Sequence, residues 1–396
     1  MQDGARVANV NLMKGLTSLG VKIDLIAVAG EDEKCDIDEL RRVCGISDCF
    51  VLRRKPIGDR FGMGGMFRIL KSFLERPWLA VTLMPFAAPG VRKEISKILA
   101  QGPLGGGQWT SIVYDGLHPA AHSSVTGTYK RPGTIPQVIY RAHNVESEIW
   151  KRKAAQTGFY PLRLFLLLQT FLMKRFEDSL VRDANSVMTV SEVDLELFRR
   201  DCPDLRGNAV PIGFDFGEVP AAPINNERSL FLARLDWPPN RDGLIWLLEN
   251  VWPVAQRRRP GLELWIAGSG DSEWLKARLP IAGVKFLGRV DRVEDVYRDC
   301  LLSLVPVFYG SGTRVKAIEA SRYGSACLST RVGIEGLGLE AGKTYFQAET
   351  AAEWIEILAK WDTRQITLVG RQAHDLLKSS FHLPVAARKF LDGLST

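Results

Sequence analysis

The 396-residue chain has no apolar run of the ~20 residues that a membrane-spanning helix needs. Its opening residues also lack the charged and apolar regions of a signal peptide, so a cytoplasmic location is expected. Six cysteines, at positions 35, 44, 49, 202, 300 and 327, show no CxxC spacing. Neither a disulfide framework nor a zinc site is therefore expected. No GxGxxG follows a first strand, which disfavours a nicotinamide dehydrogenase. Helix-turn-helix, zinc-finger and RNA-recognition signatures are missing, so no nucleic-acid partner is expected. There is no solenoid repeat and no low-complexity tract. Metal chemistry has little to stand on. Asp36-Ile-Asp38 has the letters of an aspartate pair, but in the acidic stretch EDEKCDIDELRR Asp36 is better suited to capping a helix. His118 and His122 have the i, i+4 spacing of a ligand pair, yet Pro119 intervenes and no third ligand is evident.

What is present is an ordinary globular composition, 46% hydrophobic and 24% charged, with charge unevenly placed. Residues 41–182 hold 22 basic and nine acidic side chains, whereas residues 183–396 hold 26 and 28. Within the basic region, Gly64 to Leu83 and Lys151 to Arg175 mix Arg and Lys with Phe, Leu, Met and Trp at helical intervals. Such a surface suits anionic lipid headgroups, so peripheral association with the inner face of a membrane is expected. A core-packed amphipathic helix has the same periodicity at Leu162 to Met173.

Strands alternate with helices along the whole chain. Val21 to Ala29, Cys49 to Leu52, Ser111 to Tyr114, Gln137 to Arg141 and Ser186 to Val190 are short apolar runs rich in β-branched residues. A second series falls at 230–233, 262–267, 284–287, 301–305 and 325–329. This is the pattern of doubly wound parallel sheets. The Gly-, Pro-, Ala- and Asn-rich stretch 213–227 reads as a linker. The expected organisation is a Rossmann-like domain over 1–212, that linker, a second such domain over 228–378, and a terminal helical segment over 379–396.

Val305 to Leu337, VPVFYGSGTRVKAIEASRYGSACLSTRVGIEGL, carries the densest chemistry. A strand ends at Pro306, a glycine loop follows (Gly310, Ser311, Gly312, Thr313), and a helix opens with Arg314, Lys316 and Glu319. Amides at a helix N-terminus bind phosphate, and two nearby cations can neutralise a departing diphosphate. Glu319, three residues beyond Lys316, shares its face and could accept the hydroxyls of a ribose. His143 follows the strand PQVIYRA, at the carboxyl end where open α/β sheets bind ligands.

This stretch resembles the retaining glycosyltransferases of family 4, which have the GT-B fold, in a subgroup with the motif GSGTR-x-K-x-x-E. Ser311 stands where the family has the first of two glutamates spaced by seven residues; Glu319 is the second. Phe231 to Pro253 (FLARLDWPPNRDGLIWLLENVWP), Arg141 to Trp150 (RAHNVESEIW), Leu262 to Gly270 (LELWIAGSG) and Val284 to Val290 (VKFLGRV) resemble other family segments, in family order. The resemblance implies an α/β, GT-B enzyme whose two doubly wound domains face a cleft. It would move a sugar from a nucleotide-sugar donor, UDP- or GDP-linked, to a glycan or lipid-linked acceptor, with retention and without metal or other cofactor.

By resemblance the catalytic residues are His143, Lys316 and Arg234, with Gly310, Ser311, Gly312, Thr313, Arg314, Glu319, Gly268, Gly288 and Val290 holding the donor. Either Asn240 or Arg241 takes the place of a lysine usual in the family. The last helix commonly crosses back onto the first domain. Two rival readings share the fold: a nucleotide-sugar epimerase, and a catalytically silent binding subunit, to which Ser311 lends weight. The resemblance also implies an apolar first strand ahead of Met1, so the chain is expected to start late. Its absence would leave unpaired backbone groups in the middle of the first sheet.

Overall fold

A computed structural model describes residues 4–30, 33, 35–54, 79–80, 83, 89–103, 106–122, 136–219, 227–309 and 314–395. They group into two compact units, one of Asn9–Pro211 with Ala386–Thr396 and one of Met1–Ala8 with Ile212–Val385. Every strand pairing among the described residues is parallel.

A helix over Gly4–Ser18, in the first unit from Asn9 onward, leads to β1 (Asp24–Gly30), a helix over Ile37–Cys44 and β2 (Asp48–Arg54). Asp36 caps that second helix, accepting from the Glu39 amide at 2.9 Å, which is the structural role its acidic setting favours. β3 (Ser111–Asp115), β4 (Gln137–Ala142), β5 (Ser186–Thr189) and β6 (Gly207–Ala209) follow. Helices over Glu146–Gln156, Tyr160–Asp183 and Glu192–Asp201 connect the later strands. β1 and β2 form one sheet and β3 to β6, in that order, another. No strand precedes the Gly4–Ser18 helix among the described residues; Leu12 and Leu16 of that helix pack with Ile139 and Met188, and its Val10 and Met13 pack against Cys44 and Cys49. The final helix, Leu383–Ser395, contributes Ala387 and Phe390 to the same cluster as Leu12, and Asn208 donates to its Lys389 carbonyl at 2.7 Å.

The second unit is a six-stranded sheet of β7 (Arg228–Leu232), β8 (Glu263–Ala267), β9 (Val284–Gly288), β10 (Leu302–Val305), β11 (Ala326–Ser329) and β12 (Phe346–Gln347). Its spatial order is β12-β11-β10-β7-β8-β9. The chain therefore reverses direction of winding between β7 and β10, and at such a switch point the loops after the two strands diverge and leave a crevice. Apolar strands are covered on both faces, as a parallel sheet requires. Trp252 and Trp354 anchor the core, with indole N–H groups satisfied by the Ala282 carbonyl at 2.9 Å and the Ala348 carbonyl at 3.0 Å. Truncating either to alanine is expected to cost about 3–5 kcal/mol.

One glycine decides how the crevice is built. Gly243, in the helix Pro238–Trp246, has the Pro306 carbonyl where a Cβ would stand, 1.8 Å away. The missing side chain lets this helix lie against the end of β10 and carries Asn240, one turn earlier, to the switch point. The start of the 213–227 stretch is packed rather than loose. Phe214 and Phe216 are buried, and Phe214 bridges to His382.

Candidate functional site

The loops after β7 and β10 enclose a cavity of about 180 Å³, lined by Trp237, Pro239 and Asn240 from one side and by Val305, Val307, Tyr309, Arg314, Val315 and Lys316 from the other, with Gly333. Val315 and Lys316 open the helix Val315–Arg322, so amides without intrahelical carbonyls lie at the cavity. Lys316 Nζ donates to Asn240 Oδ1 and sits 5.9 Å from the centre of the Phe231 ring. Burial, with the Arg314 charge adding to it, pulls the Lys316 amine down to about 8. Arg314, only 9% exposed, is ion-paired with Glu335 at 3.0 Å. Two cations thus share a cavity with no carboxylate in its lining, Arg314 being met by Glu335 from outside that lining.

Asn240, not Arg241, reaches this cavity. Its Nδ2 donates to the Arg234 carbonyl at 2.7 Å while its Oδ1 takes Lys316, so one side chain ties the β7 loop to the β10 loop. Arg241, a 100° rotation further along the helix, lies 5.3 Å from the Trp274 ring. The Arg234 guanidinium is 66% exposed and held in a fork by Asp236, at 2.7 and 3.0 Å. It stands beside the cavity without lining it. Glu319 lies one turn past Lys316; burial raises its carboxyl above the usual range, against the Arg322 charge. It too is outside the lining.

Gly268 closes β8 with the Ala233 carbonyl 1.8 Å from where a Cβ would be, so its lack of a side chain is demanded by strand packing. Gly288 ends β9 with φ of 67°, and Val290 follows half-buried. Gly310, Ser311, Gly312 and Thr313 lie outside the described residues.

His143 belongs to the first unit. β3 and β4 are neighbours in register, Asp115 opposite Arg141, and their carboxyl ends bring three groups together. Asp115 Oδ1 lies 2.8 Å from His143 Nε2 and 2.8 Å from an Arg141 amino nitrogen. Burial opposes ionisation of Asp115, but the Arg141 guanidinium and the His143 contact hold its carboxyl below the usual range. With Asp115 ionised, the Nε2 proton is fixed toward it and Nδ1 is left as the other functional nitrogen. Asp115 was not legible as a site residue, because its partners are 26 and 28 positions away and only strand register unites them.

His122 is buried, and burial together with the Arg54 charge draws it down to about 4. Among the described residues no group of three or more His, Cys, Asp or Glu side chains is placed to hold a metal ion.

Residues 226–361 match the family model described as Glycosyl transferases group 1. A 44.6 kDa protein of the cps region of Klebsiella pneumoniae is 30% identical over 128 residues, and the match spans 33% of that protein's length. Similar solved structures share the fold. Anabaena HepE in complex with UDP and glucose gives a TM-score of 0.61 at 16% identity, covering 100% of this chain and 96% of that one. A glycosyltransferase from Rickettsia africae gives 0.57 at 13% identity, covering 98% and 93%. An S. aureus TarM variant in complex with fondaparinux, alpha-GlcNAc-glycerol and UDP gives 0.55 at 12% identity, covering 72% of this chain and 55% of TarM. The fold is GT-B.

Proposed function

We propose that this protein is a retaining, family 4 hexosyltransferase that moves a sugar from a UDP- or GDP-sugar to a glycan or lipid-linked acceptor, without metal. The observation that carries the reading is the pair of cations, Lys316 and Arg314, at the switch-point cavity beside a helix N-terminus. As the glycosidic bond to the diphosphate breaks, negative charge grows on the β-phosphate, and preorganised cations stabilise it. Lys316 is positioned for this by Asn240, and Arg234 supplies a third cation from the rim. Glu319 and the loop Gly310 to Thr313 are assigned to the nucleotide and diphosphate, with Gly268, Gly288 and Val290 at neighbouring strand ends. His143, oriented by Asp115, is assigned to the transferred sugar as a hydrogen-bonding group.

UDP in HepE and TarM favours a uridine donor, and the cps-region relative favours polysaccharide biosynthesis. The proposed domains are 1–212 on the acceptor side and 228–378 on the donor side, joined by 213–227, with 379–396 returning to the first.

Product analysis tests this reading. The protein is incubated with UDP- and GDP-hexoses and the released sugar and its anomer are followed by NMR. Slow release of the unchanged hexose with the donor's anomeric configuration, together with the nucleoside diphosphate, supports a retaining transferase. An epimerised hexose identifies the epimerase reading. Tight binding without turnover identifies a silent binding subunit.

A further inference from the structure

The Tyr160–Asp183 helix is apolar on two opposite faces, and the core uses one of them from Leu166 onward, leaving Leu162 and Phe165 exposed in the first two turns. Leu166, Leu172, Met173, Leu180 and Val181 are buried against the first unit. On the other side Tyr160, Leu164, Leu167, Leu168 and Phe171 are exposed, Tyr160 at 68% and Phe171 at 62%. Their spacing is i, i+4, i+7, i+8, i+11, one stripe along three turns of a 3.6-residue helix. Soluble surfaces scatter such residues singly; a contiguous stripe marks an interaction face. Basic side chains predominate in the sequence that carries it, although Lys151 is paired with Glu148 at 3.0 Å. Between Ile149 and Phe176 there are six Lys or Arg residues and no Asp or Glu. Arg163 lies near the start of the stripe and Arg175 just beyond its end, while Lys174 is engaged by Asp178 at 3.0 Å and Asp201 at 2.7 Å.

We propose that this stripe is a docking face for an anionic bilayer, lying in the plane of the lipid headgroups. Charge decides the occupant. A second copy of the chain, paired antiparallel on the same stripe, would set Arg163 against Arg175 of its neighbour with no acid in either segment to offset them. An anionic lipid surface accepts the same cations and takes the leucines and aromatics into the acyl boundary. No helix among the described residues is long and apolar enough to cross a membrane, so the contact is with the surface. Nothing in this inference depends on the donor or on the reaction.

The test uses the full chain and vesicles of phosphatidylcholine with or without phosphatidylglycerol. The chain should cosediment with the phosphatidylglycerol vesicles alone, less so as salt rises. Leu164→Glu with Phe171→Glu should weaken this by roughly tenfold or more, with the melting temperature unchanged. A Leu164→Trp reporter should shift its emission to the blue on phosphatidylglycerol vesicles, which keeps the test sound if the double variant folds poorly. Failure to bind these vesicles, or a reporter whose emission does not move, overturns the proposal. So does a dimer in sedimentation that the double variant dissociates, since the face would then belong to a second copy.

Discussion

Lys316 is the residue on which the proposed donor site turns. Its amine, drawn down to about 8 by burial and by Arg314, is charged at neutral pH and discharges just above it. Affinity for bare UDP or GDP should therefore fall as pH rises past about 8. Lys316→Ala should bind weakly at every pH and lose on the order of 10²-fold in turnover, because it removes charge stabilisation of the leaving group. Calorimetric titration across pH, with single-turnover rates, checks both. Asp115→Asn keeps the shape but loses the charge that fixes the His143 ring. It should lower transfer by roughly 10- to 100-fold and leave diphosphate affinity within error, as should His143→Ala. Equal loss of binding and transfer would assign the pair to folding instead. Lys316 and Arg314 were legible because a glycine loop before a helix has a mechanism attached to its letters. Asn240 and Arg241 were indistinguishable in sequence; the 100° between them settles which one faces the cavity.

At the scale of elements, the Glu146–Gln156 and Tyr160–Asp183 helices are fastened to each other by a buried carboxyl. Glu177, on the Tyr160–Asp183 helix, accepts from the Ser147 hydroxyl at 2.7 Å and the Glu146 amide at 3.0 Å, at the start of the Glu146–Gln156 helix. Burial raises Glu177 to about 7, against these hydrogen bonds. The folded protein then holds this proton more tightly than the unfolded chain, whose carboxyl titrates near 4.5. Its stabilising contribution is fully present below pH 4.5 and is lost as pH rises through about 7, amounting to about 3 kcal/mol. Glu177→Gln should erase that slope in a comparison of denaturant unfolding with wild type between pH 4.5 and 7.5.

The main strands were legible as elements, since short apolar β-branched runs between turns have one good solution. β6, with three residues, and β12, with two, are too short for any periodicity to register. The packed Phe214 and Phe216 were hidden by the glycine and proline around them. Exposure of the Tyr160–Phe171 stripe was one of two readings open in the sequence, because a helix buried on both faces has the same periodicity.

For the whole molecule, the GT-B architecture follows from two parallel α/β units, the second with its switch point between β7 and β10. Local patterning foretold such sheets, but strand order came only from the structure. If the second unit binds an activated sugar through its cationic cavity, thermal unfolding with a panel of UDP-, GDP- and ADP-sugars will register it. A donor at 100 times its dissociation constant should stabilise the folded protein by about 2.7 kcal/mol. At least one of these donors should raise the melting temperature of the wild type and fail to raise that of Lys316→Ala. No shift with any donor, or an equal shift in both proteins, would contradict it.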